Sequence, residues 1–205
     1  MVNLLEKVNY EMNTNIMRVS GNWELGYVLD WHVRSSNFIG DNEFGKPTFD
    51  TKRTEIGEAI FQLKYRQDQT KIEPLAETMV VNLKSVFQTA SFVIPIPPSK
   101  NRATQPAVEL ARKVSEKMNL PFFENILLKK GTTPQMKDIN TAKGRVDALM
   151  EYFYINDAIT GSGSWDVLVI DDLYSSGASL SAATQVLRNY RKVRKIFVAA
   201  FSRTK

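Results

Sequence analysis

Residues 167–179 read VLVIDDLYSSGAS. Four apolar residues, Val167 to Ile170, run into two adjacent aspartates, Asp171 and Asp172. A loop of small residues follows, and a helical pattern starts at Ser179. A short apolar run bounded by such a loop and a helix reads as a buried parallel strand. Ligands of open α/β sheets bind at the carboxyl ends of strands, and this strand ends in two carboxylates. A pair of that kind can hold sugar hydroxyls and, directly or through water, Mg²⁺. Ser175, Ser176, Gly177, Ala178 and Ser179 offer backbone N–H groups and hydroxyls at a helix start, a cradle for a monophosphate. No lysine follows the glycine, so this is not the phosphate loop of ATPases. A capped helix after a buried strand explains the serines. It leaves the two adjacent aspartates unexplained.

A second stretch repeats the layout. Residues 91–96, SFVIPI, form a short apolar run that ends in Pro97, Pro98, Ser99, Lys100, Asn101 and Arg102. A helix is expected over 104–118, with Pro106 in its first turn and Ala107, Ala111, Val114 and Met118 on one face. Strand, polar loop and helix place anions at a helix N-terminus, although a loop lysine also serves solubility. Strands are expected at 92–96, 122–128, 167–171 and 196–201, separated by helices. That pattern predicts an α/β fold with a mostly parallel central sheet flanked by helices. Both loops then lie at the same end of the sheet.

The remaining segments frame this core. Residues 2–12 place Leu5, Val8 and Met12 on one helical face. Residues 21–33 alternate Trp23, Leu25, Tyr27, Leu29, Trp31 and Val33, which predicts a half-buried strand or hairpin arm with His32 on its polar side, an ordinary surface histidine. Residues 35–51 read as a loop or loose hairpin. Residues 55–66 are helical, with Ile56, Ile60 and Leu63 on one face; Thr70 and Glu73 suggest a capping box for a helix reaching about residue 87. Residues 131–147 are polar and basic without a period, the mark of a functional lid or a disordered loop. A strand is expected at 149–155 and a helix at 179–190, followed by a basic run over 188–195.

Composition narrows the functional classes. The chain has 205 residues, 43% of them hydrophobic, enough for one domain with a substantial core. It has no cysteine and one histidine, which excludes disulfides and disfavours zinc sites and histidine triads. No apolar run is long enough to span a bilayer and no signal peptide is evident, so a cytoplasmic location is expected. Residues 1–50 carry 4 basic and 7 acidic side chains, and residues 51–205 carry 23 and 15. The basic excess thus belongs to the part holding the opening motif. Phosphates, nucleic acid and a plain solvated surface all fit that excess.

The stretch VLVIDDLYSSGAS resembles the phosphoribosyl diphosphate (PRPP) motif of type I phosphoribosyltransferases, with serines where many members have threonines. More closely, the chain resembles the competence-protein-F (ComF-like) phosphoribosyltransferases. FDTKRTEIGEAIFQLKYR, FVIPIPPSKNRATQPAVELA and the segment 132–145 look like that group's other signatures, in the same order. The likeness covers roughly residues 49–203. It implies a central parallel sheet, PRPP as ligand, Mg²⁺ as cofactor and a hood over the acceptor. Carried over, Asp171 and Asp172 would hold ribose hydroxyls and the metal, and Ser175 to Ser179 the 5′-phosphate. Pro97, Pro98, Ser99 and Lys100 would form the pyrophosphate loop. Lys137 and Arg145 would be the catalytic cations that close over the departing diphosphate.

Two departures matter. The zinc finger that many ComF-like proteins carry is impossible without cysteine, so residues 1–50 are expected to form the hood and residues 51–205 the core. Purine-salvage members place an aspartate base where Ser175 stands. Serine is a poor base near neutral pH, which leaves an amine, ammonia, water or pyrimidine-type acceptor. A catalytically silent PRPP- or nucleotide-binding module, serving DNA uptake or bacterial antiviral defence, is the alternative. A homodimer and a nucleic-acid partner bound through residues 188–195 stay open; a membrane partner is not expected.

Overall fold

The computed structural model describes residues 11–98, 104–131, 139 and 141–204. Its centre is β8 (Trp165–Tyr174), whose residues from Asp166 to Asp172 are all buried. The strand pairs in parallel with β5 (Phe92–Pro95) on one side and β9 (Val193–Arg203) on the other. Outside β9 lies β2 (Leu25–Trp31), also parallel, and β1 (Met17–Arg18) closes that edge antiparallel. The sheet order is β1-β2-β9-β8-β5.

Side chains alternate across this sheet into two cores. Leu168 and Ile170 face one core, with residues of α1 (Glu55–Arg66), α2 (Ile72–Leu83) and α3 (Pro106–Met118). Val167 and Val169 face the other, with Leu149 of α4 (Ala142–Met150) and Leu180, Ala183 and Leu187 of α5 (Ala178–Arg188). Covered on both faces, the strand needs an unbroken apolar run. Each such side chain contributes roughly 1.5–3 kcal/mol on burial. No helix among the described residues is long and apolar enough to cross a membrane.

Several expectations change. The N-terminal helix over 2–12 lies largely outside the described residues, and the described part from Glu11 on is not helical. Met12 N donates to Thr78 Oγ1 at 3.0 Å. Residues 25–31, expected as a half-buried strand or hairpin arm, are a strand inside the central sheet, with Val28 and Leu29 fully buried between β1 and β9. The boundary at residue 50 also cuts a strand, because β3 (Val33–Asp41) and β4 (Pro47–Arg53) form one antiparallel hairpin. The Thr70–Glu73 capping box does not cap α2. Asp68 instead accepts from Thr70 N at 3.1 Å, and α2 ends at Leu83.

Among the described residues, the strand expected at 122–128 pairs with the central sheet through a single parallel Val93–Phe122 bridge. Its end, β6 (Leu127–Lys129), pairs antiparallel with β7 (Phe153–Ile155) in a separate ribbon. Of the polar stretch 131–147, residues 132–138 and 140 lie outside the described residues; its end and the start of the strand expected from 149 form α4, where Thr141 Oγ1 accepts from Gly144 N at 3.0 Å as a cap.

The α1 helix is held where the sheet opens. Thr54 Oγ1 accepts from Gly57 N at 2.9 Å and donates to Trp31 O at 2.5 Å. Glu55 and Glu58 in its first turn, and Lys64 and Arg66 in its last, complement the helix dipole. Gly57 lies directly against the chain at His32. A Cβ there would come within 2.0 Å of the His32 carbonyl oxygen. Glycine in a helix normally costs about 1 kcal/mol relative to alanine, but here the sign reverses. Gly57→Ala is expected to lower stability by about 2 kcal/mol through overpacking. Urea unfolding checks this, and a neutral or stabilising effect contradicts the close approach.

Candidate active site

The carboxyl ends of β5 and β8 open into one cleft. Its walls are Lys64, residues 96–98, residues 105–108, Lys129, Phe153, residues 171–173 and Ser179. The loops after residues 96 and 170 thus meet at one place, together with the start of α3.

Asp171 and Asp172 are each only 8% exposed. Asp171 Oδ1 accepts from Asp172 N at 2.8 Å, so the backbone holds the first carboxylate. The second pairs with Lys64, Nζ to Oδ2, at 2.6 Å. Burial, and next the Asp172 charge, push the Asp171 carboxyl up to about 8, with Lys64 acting the other way. Across the cleft, burial lowers the Lys129 ammonium from its ordinary range, opposed by Asp171. Two buried carboxyl groups and two cations therefore share one cavity. Burial and the neighbouring like charge favour the protonated form of Asp171 in this arrangement.

The helix start after the pair is open. Gly177 occupies the cap of α5 with φ 74 and no side-chain cap bond. A Cβ on Gly177 would come within 2.5 Å of Tyr174 Oη, so both the φ and the neighbouring ring require glycine. Of the five residues expected to cradle a phosphate, Ser179 lines the cleft. Ser175 Oγ lies 3.2 Å from Thr204 Oγ1, and Ser176 Oγ accepts from Ala178 N at 3.5 Å.

Pro97 and Pro98 line the cleft, whereas Ser99, Lys100 and Lys137 lie outside the described residues. Arg145 is on α4, and its Nε donates to Ile139 O at 2.8 Å rather than reaching the carboxylates. Within the basic run, Arg188 pairs with Glu24, Lys192 with Asp157 and Arg194 with Asp166.

Lys64 and Lys129 were not singled out in the sequence. Lys64 carried a signal: it stands four residues after Ile60, at the edge of the buried stripe of α1. His32 is not an ordinary surface residue. Its Nδ1 lies 3.0 Å from Ser202 Oγ, and burial first, then Arg53 and Lys64, lower its pKa and keep it neutral at pH 7. Among the described residues no group of three or more His, Cys, Asp or Glu side chains gathers as a metal cage.

No protein-family model matches this chain. No curated protein matches it significantly in sequence. Its structure is similar to that of adenine phosphoribosyltransferase from Leishmania tarentolae, at 8% identity and TM-score 0.47, covering 92% of this chain and 94% of that one. It is also similar to orotate phosphoribosyltransferase from Aeropyrum pernix, at 15% identity and TM-score 0.42, covering 82% and 74%. The xanthine-guanine-hypoxanthine phosphoribosyltransferase of Helicobacter pylori matches at 12% identity and TM-score 0.44, covering 67% and 85%.

The raised Asp171 pKa has a consequence for stability. The folded chain keeps this proton up to about pH 8, whereas an unfolded aspartate loses it near pH 4. Between those values the unfolded state binds fewer protons, so stability falls as pH rises and levels off above about 8. Asp171→Asn keeps the acceptor for Asp172 N and carries no charge. In metal-free buffer it is expected to exceed the wild type by at least about 1 kcal/mol at pH 8.5, with the gap closing toward pH 4. Melting curves across pH check this; a gap independent of pH contradicts the assignment.

Proposed function

We propose that this protein is a phosphoribosyltransferase-like protein that binds PRPP with Mg²⁺ in the cleft at Asp171 and Asp172. The observation that carries the reading is the meeting of three features. They are the buried carboxylate pair ending β8, the uncapped start of α5 and the loop at Pro97–Pro98. In this reading Asp171 and Asp172 hold the ribose hydroxyls, residues 175–179 take the 5′-phosphate, and Pro97 to Lys100 border the diphosphate.

The donor set fits Mg²⁺. Two carboxylates are too few for an all-protein cage, but Mg²⁺ is commonly held by one or two carboxylates together with substrate phosphates and water. A cation there also offsets the cost of burying Asp171 beside Asp172. When bound, the metal neutralises charge on the diphosphate. The reaction is a displacement at the ribose C1: the acceptor lone pair forms a bond to C1 while the C1–O bond to pyrophosphate breaks. Pyrophosphate leaves with that electron pair, and the acceptor's proton passes to solvent. Lys64 and Lys129 line the cleft as fixed cations for the developing charge. Lys137, between β6 and α4 in sequence, and Arg145, in the first turns of α4, are assigned the same task during turnover.

No carboxylate base stands at Ser175, so acceptors that attack without one are favoured. The test is Mg²⁺-dependent release of pyrophosphate from PRPP against a panel of ammonia, primary amines, pyrimidines and purines. Release with at least one acceptor is expected, and Lys64→Met is expected to lower it by about tenfold or more. PRPP binding without release from any acceptor favours a silent binding module. Absence of both binding and release overturns the reading.

A further inference from the structure

The last residues of three parallel strands form a row at the open edge of the sheet. Trp31 of β2 is the register partner of Arg203 of β9, and Arg203 is the partner of Tyr174 of β8. The Arg203 guanidinium lies 4.8 Å from the Trp31 ring and 5.5 Å from the Tyr174 ring. Arg203 Nε is buried and has no hydrogen-bond partner among the described residues. No described carboxylate forms an ion pair with this guanidinium, although Arg53, Lys64, Arg112, Arg188 and Arg194 each have one. A half-buried arginine between two rings, with its Nε out of solvent and no anion paired to it, is a site for one.

The row is close to the cleft. Tyr174 stands two residues beyond Asp172, a step of roughly 7 Å along the strand. The end of β9 is tied to the loop after β8: Thr204 N donates to Tyr174 O at 3.0 Å, and Thr204 Oγ1 meets Ser175 Oγ at 3.2 Å. A ribose held by the carboxylate pair would therefore have this row one pleat away.

We propose that Arg203, clamped between Trp31 and Tyr174, binds the carboxylate of a planar aromatic acceptor. This inference rests on the phosphoribosyl-transfer reading above and names its acceptor class. The in-plane N–H groups of a guanidinium pair two-to-two with a carboxylate, and the flanking rings offer stacking surface to a flat molecule. A neutral amide of the same shape leaves the guanidinium without its anion, and a site built for a polar partner rejects analogues that lack it.

The test uses the full chain with Mg²⁺ and PRPP present and compares matched pairs, nicotinate with nicotinamide and orotate with uracil, by equilibrium binding. Each acid is expected to bind about tenfold or more tightly than its neutral counterpart. Arg203→Gln is expected to abolish that preference while leaving PRPP affinity unchanged. The wild-type comparison alone decides the matter if the variant does not fold. PRPP binding with no preference for the acids overturns this inference and leaves the transfer reading intact. Failure to bind PRPP overturns both.

Discussion

The structure depends on the burial of two adjacent carboxyl groups at the end of a strand covered on both faces. Neighbours β5 and β9 satisfy the backbone of β8 in parallel, and helices seal both sides. A buried charge is costly unless paired. Asp172 meets that requirement through Lys64, while Asp171 holds its proton to about pH 8. Much of the remaining architecture delivers that one ammonium. The Thr54 cap, the bond to Trp31 O and the absence of a Cβ at Gly57 set α1 so that its last turn reaches the carboxylates.

The same end of the sheet collects the other functional parts. Parallel strands all finish on one side, so loops distant in sequence converge without any special device. Lys129 arrives on the small β6–β7 ribbon, Pro97 and Pro98 arrive from β5, and the open start of α5 follows β8. Beyond them, Arg203 sits between Trp31 and Tyr174, residues contributed by three neighbouring strands.

The buried strands at 92–96 and 167–171, and the helix over 55–66, were legible because their apolar residues recur with a clear period or in an unbroken run. The pairing of two loops across β5 and β8 followed from the same pattern. Other parts were hidden for physical reasons. Residues 25–31 alternate in sequence because Gly26 and Asp30 are not apolar, yet both are buried while Leu25, Tyr27 and Trp31 are only half-buried, so a central strand imitated an edge. Residues 142–150 interrupt their apolar side chains with Lys143, Gly144, Arg145 and Asp147, and only Leu149 among them is buried. Lys64 and His32 take their meaning from contacts 108 and 170 residues away, which no local pattern encodes.

The central claim is that the carboxylate pair forms a cation-linked PRPP site. Calorimetric titration of PRPP into the wild-type protein, with Mg²⁺ and then with excess chelator, tests it most directly. The account predicts saturable binding at one site per chain with Mg²⁺ and a loss of at least about tenfold in affinity without it. Equal affinity in both conditions, or no binding in either, would contradict it.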